Sequence, residues 1–242
     1  MNLTDKTILV TGATGGIGSV LAQKLFECGA HLILLGRNSV KLDALGQKLQ
    51  ATTYACDLSS PSSRQQVLAQ IIASHRQLDI LINNAGIGLY TDLPEISDQD
   101  WYSSYELNVH APLILSRDLM PLLEKSPDSL VVNIGSLAGV IPKPGRSTYN
   151  STKFALRGLT LCLAQEYAQK NPHFVHIALD SVLTEFGPWS MKEKLAKQHS
   201  GKVYLTPDWT ATTLLAILES DTYSPEHVLS YTNYGFGEWH QP

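Results

Sequence analysis

Apolar residues in this chain fall in short dense runs, separated by stretches in which they recur every three or four positions. The runs at 7–10 (Thr-Ile-Leu-Val), 31–35 (His-Leu-Ile-Leu-Leu), 79–83 (Asp-Ile-Leu-Ile-Asn) and 130–134 (Leu-Val-Val-Asn-Ile) lack the alternation of a half-exposed strand. They predict strands buried on both faces, as in a parallel sheet. Further strands are expected near 52–56, 174–179 and 227–231. Between the first two runs, Ile17, Val20, Leu21, Leu25 and Phe26 follow helical spacing, and Gly29 ends that helix. Helices are predicted near 40–49, 62–74, 149–169 and 208–218, with a long helical region over 98–124 bent at Pro112 or Pro121. Strand and helix alternate throughout, which predicts an α/β, doubly wound parallel sheet of about seven strands in one domain spanning 1–242. Only 184–205 breaks the rhythm. It reads as a disordered loop or as a lid over a substrate, and we expect it to form a substrate-binding loop.

Composition adds limits. A chain of 242 residues with 43% hydrophobic and 17% charged residues has enough apolar surface for one substantial core. A net charge of −4 without a basic run argues against nucleic acid as the main partner. No apolar run is long enough to span a bilayer, and the first residues carry no signal-peptide pattern. The cysteines at 28, 56 and 162 have no metal-ligand spacing and read as small buried hydrophobes in a reducing compartment, hence a cytoplasmic protein without a metal site.

Candidate chemistry begins directly after the first strand. Gly12, Gly15, Gly16 and Gly18 lie in the turn Thr11-Gly-Ala-Thr-Gly-Gly-Ile-Gly. Glycines there let backbone approach a pyrophosphate closely, and the following helix offers unpaired N–H groups and a positive dipole end. The second strand ends Leu35-Gly36-Arg37-Asn38, with no carboxylate for a ribose 2′-hydroxyl and a guanidinium suited to a 2′-phosphate. This predicts NADP(H) in preference to NAD(H). Tyr149 and Lys153 are four residues apart, on one face of a predicted helix, and Ser136 lies thirteen positions upstream. Hydride addition to a carbonyl leaves an alkoxide that needs a proton as it forms. A tyrosine whose phenolate is favoured by a nearby ammonium can supply one, and a serine at a strand end can polarise the carbonyl oxygen.

Gly12-x-x-x-Gly16-x-Gly18, Asn83-Asn84-Ala85-Gly86, Asn108, Ser136 and Tyr149-x-x-x-Lys153, in this order, resemble the short-chain dehydrogenases/reductases over roughly 6–184. The resemblance implies a Rossmann-type domain that moves hydride between a nicotinamide and a carbonyl or secondary alcohol. It implies catalytic roles for Asn108, Ser136, Tyr149 and Lys153, with Asn108 anchoring a water between Lys153 and solvent. Cofactor contacts are implied for Gly12, Thr14, Gly15, Gly16, Ile17, Gly18, Arg37, Asn38, Asp57 (against adenine), Leu58, Asn84, Ala85, Gly86, Tyr149, Lys153, Val182 and Thr184. Asn83 is expected either to shape the cofactor site or to bond backbone at the sheet's edge. Family members commonly pair the two helices bearing Asn108 and Tyr149. A homodimer or homotetramer is therefore expected, with Leu156, Leu159 and Leu163 as an outward-capable apolar set.

Two departures from the family stand out. Leu179-Asp180 occupies the place of the usual Pro-Gly, and the Asp180 carboxylate either stabilises an oxidised ring, binds a basic substrate or points outward, or the change is drift with a locally rearranged turn. The aromatic C-terminal stretch 231–239 replaces the usual ending, and either covers a neighbouring subunit, lines a pocket or forms a plain surface tail. Ser136, Leu137, Tyr149, Phe186 and Trp189 are the expected substrate contacts, with Ile87, Leu89 and Val140 completing an apolar surround. Lys143 and Arg146 either steer an acidic or carrier-bound substrate or are solvated loop charges. The leading reading is an NADP(H)-dependent ketone or aldehyde reductase acting on an apolar small molecule. A 3-oxoacyl-thioester reductase and a non-catalytic nucleotide sensor are the alternatives.

Overall fold

The computed structural model describes residues 1–231 and 238–240, so most of the aromatic 231–239 stretch lies outside the described residues. Strands β1 (Thr7–Thr11), β2 (His31–Gly36), β3 (Thr52–Ala55), β4 (Ile80–Asn83), β5 (Leu130–Ile134), β6 (His173–Leu179), β7 (Glu226–Leu229) and β8 (Glu238–His240) form one sheet. Its order is β3-β2-β1-β4-β5-β6-β7-β8, and every pairing is parallel. Seven strands match the expected runs, and β8 adds a short eighth at the edge.

The sheet is buried on both faces because its strands are apolar at successive positions. Ile8 and Val10 enter one core cluster with Leu32, Leu34, Ile80 and Ile82. Leu9, between them, enters the opposite cluster with Ile33, Leu35, Leu81 and Val131. Alternating side chains thus feed two layers. Each fully buried leucine or isoleucine stabilises the fold by about 1.5–3 kcal/mol relative to exposure.

Helices cover the two faces: α1 (Gly16–Glu27), α2 (Ser39–Leu49), α3 (Pro61–Ser74), α4 (Asp98–Tyr105), α5 (Ala111–Asp118), α6 (Met120–Leu123), α7 (Ser147–Glu166), α8 (Met191–His199) and α9 (Pro207–Leu218). The expected long helix over 98–124 is broken twice. A π-helical turn over Glu106–His110 immediately precedes Pro112, which has no N–H to return to the carbonyl four residues back. The second break, at Leu119, precedes Pro121. The segment 184–205 is not loose throughout, because it contains α8, started by a capping box between Ser190 and Glu193.

Two expectations are corrected by burial. Leu156 is 1% exposed and belongs to the core, and Leu163 packs on the second cluster; the outward face of α7 carries Phe154, Gly158 and Cys162 instead. Helical spacing fixes which residues share a face and not which face meets the sheet. Cys56 is buried as expected, whereas Cys162 is exposed. Among the described residues no helix is long and apolar enough to cross a membrane.

Candidate active site

The strand order reverses between β1 and β4, and a crevice is expected outside the carboxyl ends of those two strands. A cavity of about 1500 Å³ opens there, running from Arg37 and Asn38 past the glycine turn to Tyr149, Phe186 and Trp189. It exceeds the roughly 300–1000 Å³ of a drug-sized site and has room for a dinucleotide and a small substrate together.

At one end the chain is shaped for close approach. Gly12 has φ +63°, and a side chain there would meet Ala85 Cα at 2.9 Å. The cradle is fastened from β4. Asn84 Nδ2 donates to the carbonyls of Thr11 (2.9 Å) and Gly12 (3.2 Å). Thr11 Oγ1 accepts from the amides of Asn84 (2.9 Å) and Ala85 (3.0 Å). Asn84 is thus a fastener of the turn that also borders the cavity. Helix α1 begins after Gly15 with no side-chain cap and no acidic residue in its first turn, leaving its N-terminal donors available to an anion.

Of the expected cofactor contacts, Gly12, Thr14, Gly15, Gly16, Ile17, Arg37, Asn38, Leu58, Asn84, Ala85, Gly86, Tyr149, Lys153, Val182 and Thr184 border the cavity. Two do not. Gly18 lies beneath the turn, where a Cβ would come within 2.3 Å of the Gly12 carbonyl oxygen. Asp57 is turned into its own loop: its Oδ1 accepts from Ser59 Oγ (2.6 Å) and Ser59 N (3.0 Å), which hold its carboxyl below the usual range. Cys56 and Leu58 form the wall there instead. Asn38 caps α2 by accepting from Lys41 N. Lys41 also borders this end of the cavity and was not singled out in the sequence, although it lies four residues beyond Arg37.

At the other end Tyr149 is 6% exposed and Lys153 5%. Ser136, just beyond β5, lies close enough to Tyr149 to draw its phenol down, and its Oγ accepts from Ala138 N. Burial pushes the Tyr149 phenol well above its ordinary value, with Tyr90 adding to the rise while Ser136 and Arg146 oppose it. The expected lowering by Lys153 is not what governs this phenol. Lys153 Nζ donates to the Ile134 carbonyl at 2.9 Å and lies 5.8 Å from the Tyr149 ring centre, and burial holds Lys153 itself down at about 8.

Asn108 lies outside the cavity wall and acts as a clamp. Its Oδ1 accepts from Ile87 N (2.8 Å), and its Nδ2 donates to Ile87 O (2.9 Å) and Thr152 Oγ1 (3.0 Å). It thereby fixes the loop after β4 to α7, one residue from Lys153. Asn83 does not bond backbone at the sheet's edge. Its Nδ2 donates to Asn133 Oδ1 (2.8 Å), which belongs to a side chain that donates in turn to Thr160.

The Tyr149 end of the cavity is more aromatic and more cationic than expected. Tyr90, which the sequence reading missed, stacks 5.5 Å from both Tyr149 and Trp189, and Phe186 lies 5.9 Å from Tyr149. Leu137 borders the cavity, whereas the half-buried Ile87 packs against the second core cluster and Val140 against Leu137. Lys194, 3% exposed, donates to the carbonyls of Thr184 and Phe186 and fixes the start of the 184–205 segment. Asp180 forms a rearranged turn: its carboxylate accepts from Ser181 N (2.7 Å) and Ser230 Oγ (2.8 Å), tying the ends of β6 and β7 together.

Beneath Ser136 lies a buried polar chain. Glu226 accepts from Arg157 (2.6 and 2.8 Å) and from His176 Nδ1 (2.9 Å). A carboxylate only accepts, so Nδ1 carries the proton and the neutral ring's Nε2 is bare. That nitrogen faces Gly135, where a Cβ would sit 2.0 Å away.

A family model described as short chain dehydrogenase matches residues 6–194. The human dehydrogenase/reductase SDR family member 4 is 32% identical over 200 residues, covering 79% of this chain and 72% of that protein. The 3-oxoacyl-[acyl-carrier-protein] reductase FabG of Rickettsia bellii is 34% identical over 197 residues, covering 81% and 78%. The structure of a metagenomic short-chain oxidoreductase in complex with NADP superposes with a TM-score of 0.78 at 26% identity, covering 94% of this chain and 97% of that one.

Proposed function

This chain belongs to the short-chain dehydrogenases, oxidoreductases acting on CH–OH groups with a nicotinamide cofactor, and we propose that within them it is an NADP(H)-dependent reductase of small ketones or aldehydes. The observation that carries the proposal is that Ser136, Tyr149 and Lys153 border one cavity with the Gly12–Ile17 turn. Fit to the cofactor rests on the backbone cradle at Gly12, on the uncapped start of α1 and on Arg37 and Lys41 at the far end, where Asp57, the carboxylate that acts on Arg37, is held in its own loop by Ser59. A bound dihydronicotinamide supplies the hydride.

Tyr149 and Ser136 do the rest of the chemistry. Ser136 Oγ donates to the substrate's carbonyl oxygen and polarises it. Tyr149 Oη gives its proton to that oxygen as the C–O bond takes on alkoxide character. Lys153 keeps a positive charge beside the phenolate left behind, and Asn108 positions the segment carrying Gly86 and Ile87. Phe186, Trp189, Leu137 and Tyr90 form the walls, and the 184–205 segment is the substrate-binding element of a single-domain enzyme. The reading includes a homodimer or homotetramer in solution and, with none of the three cysteines in a disulfide, a cytoplasmic setting.

The test is NADPH oxidation with a panel of aromatic and aliphatic ketones and aldehydes. Turnover that disappears in Tyr149→Phe while NADPH still binds supports the assignment, and near-normal turnover in that variant refutes it. The likeness to the Rickettsia reductase favours one second reading, a 3-oxoacyl thioester on a carrier. Higher kcat/KM on acyl-carrier thioesters than on free ketones would select it.

A further inference from the structure

The mouth of the cavity beside Tyr149 gathers positive charge on a chain whose net charge is −4. Lys143, Arg146, Lys197 and Lys202 all border it, brought together from the loop before α7, from α8 and from the loop after it. Among the described residues none of the four forms an ion pair with a carboxylate; the cations that do are Lys6, Lys24, Arg64, Arg117, Arg157 and three histidines besides His176. Asp180 and Glu185 border the same cavity and Asp92 Oδ1 lies beside Gly145, each of them engaged or exposed. Asp180 is held by Ser181 and Ser230, Glu193 by Ser190, and Glu185 is solvent-exposed.

Three of the four cations lie over aromatic rings, Arg146 and Lys197 half-buried and Lys202 exposed. The Arg146 guanidinium lies 4.4 Å from the Tyr90 ring centre and 5.4 Å from that of Trp189. Lys197 Nζ lies 3.4 Å from the Trp189 ring centre, and Lys202 Nζ 5.6 Å from that of Tyr204. Cation–π packing of this kind fixes the direction of a charge and leaves its other face open to an anion. Burial, with Lys202 and Arg146 close by, pushes Lys143 down from its ordinary value, and Asp180 only partly offsets them. With Asp180 near Lys143 and Glu193 near Lys197 as partial offsets, the four cations still repel one another, and an anion seated among them relieves the repulsion.

We propose that Lys143, Arg146, Lys197 and Lys202 form a subsite for a carboxylate on the substrate, so that the carbonyl compound reduced at Tyr149 is a small oxo-acid. This rests on the reductase reading above and narrows its substrate class. Arg146 to Tyr90, and Tyr90 to Tyr149, are steps of 4.4 and 5.5 Å. Placed end to end they put the guanidinium at most about 10 Å from the Tyr149 ring centre. A carboxylate one aromatic ring away from the reacting carbonyl spans such a gap. The 2′-phosphate end of the cavity, at Arg37 and Lys41, is at the opposite extreme of the site.

The experiment compares 4-acetylbenzoate with its neutral isostere 4-acetylbenzamide on the NADP(H)-loaded enzyme, by calorimetric binding and by kcat/KM. The wild type is expected to favour the acid about tenfold or more, less so as salt is raised. Lys143→Gln and Arg146→Gln are each expected to lower the acid-to-amide ratio at least threefold. Equal binding of acid and amide by the wild type overturns the subsite, as does an equal loss on both in the two variants. Preference for an acyl group on an acidic carrier protein, with none for the free acid, overturns it too and turns the rim into a docking surface. Tight binding of the acid without turnover of either compound keeps the subsite and sinks the reductase reading. Equal turnover of both keeps the reductase reading and sinks the subsite.

Discussion

Glu226→Gln tests how the floor of the active site is held. The Glu226 side chain is 10% exposed and lies between His176, which is fully buried, and Arg157, which is 30% exposed. Burial alone would push its carboxyl up, but hydrogen bonds from Arg157 and His176 overcome that and hold it at about 2, against an ordinary 4.5. At about 1.4 kcal/mol per pH unit this corresponds to roughly 3 kcal/mol. Solvent at Arg157 screens part of it, so we expect the substitution to cost about 2 kcal/mol at neutral pH. For a chain of this length that lowers Tm by about 4–8 °C. Because the carboxyl's value is depressed in the folded protein, the contribution is fully present above the unfolded value of 4.5 and is lost as pH falls toward about 2. Urea titrations of wild type and variant between pH 7 and pH 3 should therefore show a stability gap that holds down to about pH 5 and has fallen by about half near pH 3. A gap under about 0.5 kcal/mol at pH 7 would refute the reasoning, as would a gap that stays constant down to pH 3.

Tyr149→Phe should lower kcat by about a hundredfold or more, read as NADPH oxidation, while fluorescence titration shows NADPH bound as before. Arg37→Ala combined with Lys41→Ala should raise KM for NADPH about tenfold or more and leave that for NADH nearly unchanged; parallel changes would sink the preference for NADP(H). Gly135→Ala would place a methyl group 2.0 Å from His176 Nε2, on a ring that Glu226 prevents from swinging away. A loss of about 1–3 kcal/mol in urea melts is expected, together with a fall in kcat as Ser136 is displaced. Unchanged stability in that variant would mean that the ring moves freely.

What was legible in the sequence was what a single element or turn carries. The glycine turn, Ser136 and the Tyr149–Lys153 pair are read from spacings within one strand end or one helix, and the sheet only has to bring three such pieces to the same edge. The residues that escaped notice are those assembled from distant segments. Tyr90 comes from the loop after β4 and Lys197 from within a stretch expected to be a loose loop; Arg146 was a candidate in the sequence, but no local period links it to either. The Arg157–Glu226–His176 chain joins residues 50 and 69 positions apart. Helical spacing gave the faces of α7 correctly and their assignment wrongly, because Leu156 and Phe154 differ only in which of them the neighbouring layer covers.

The burial that hides Tyr149 and Lys153 also bears on the direction of the reaction. A phenol pushed upward by desolvation rests protonated at neutral pH, and an amine held at about 8 still carries its charge there. A resting site loaded with a proton suits a donor to a forming alkoxide, whereas alcohol oxidation needs the phenolate first. The same burial makes the transfer itself demanding, since the phenolate left behind is poorly solvated. Arg146 offsets part of that, and Lys153 is a second nearby cation, its Nζ anchored by a single carbonyl, that of Ile134. Of its three N–H donors one is committed, and two are left to face the cavity as charge develops on Tyr149. Reduction near neutral pH therefore uses both groups in the protonation states in which the fold already holds them.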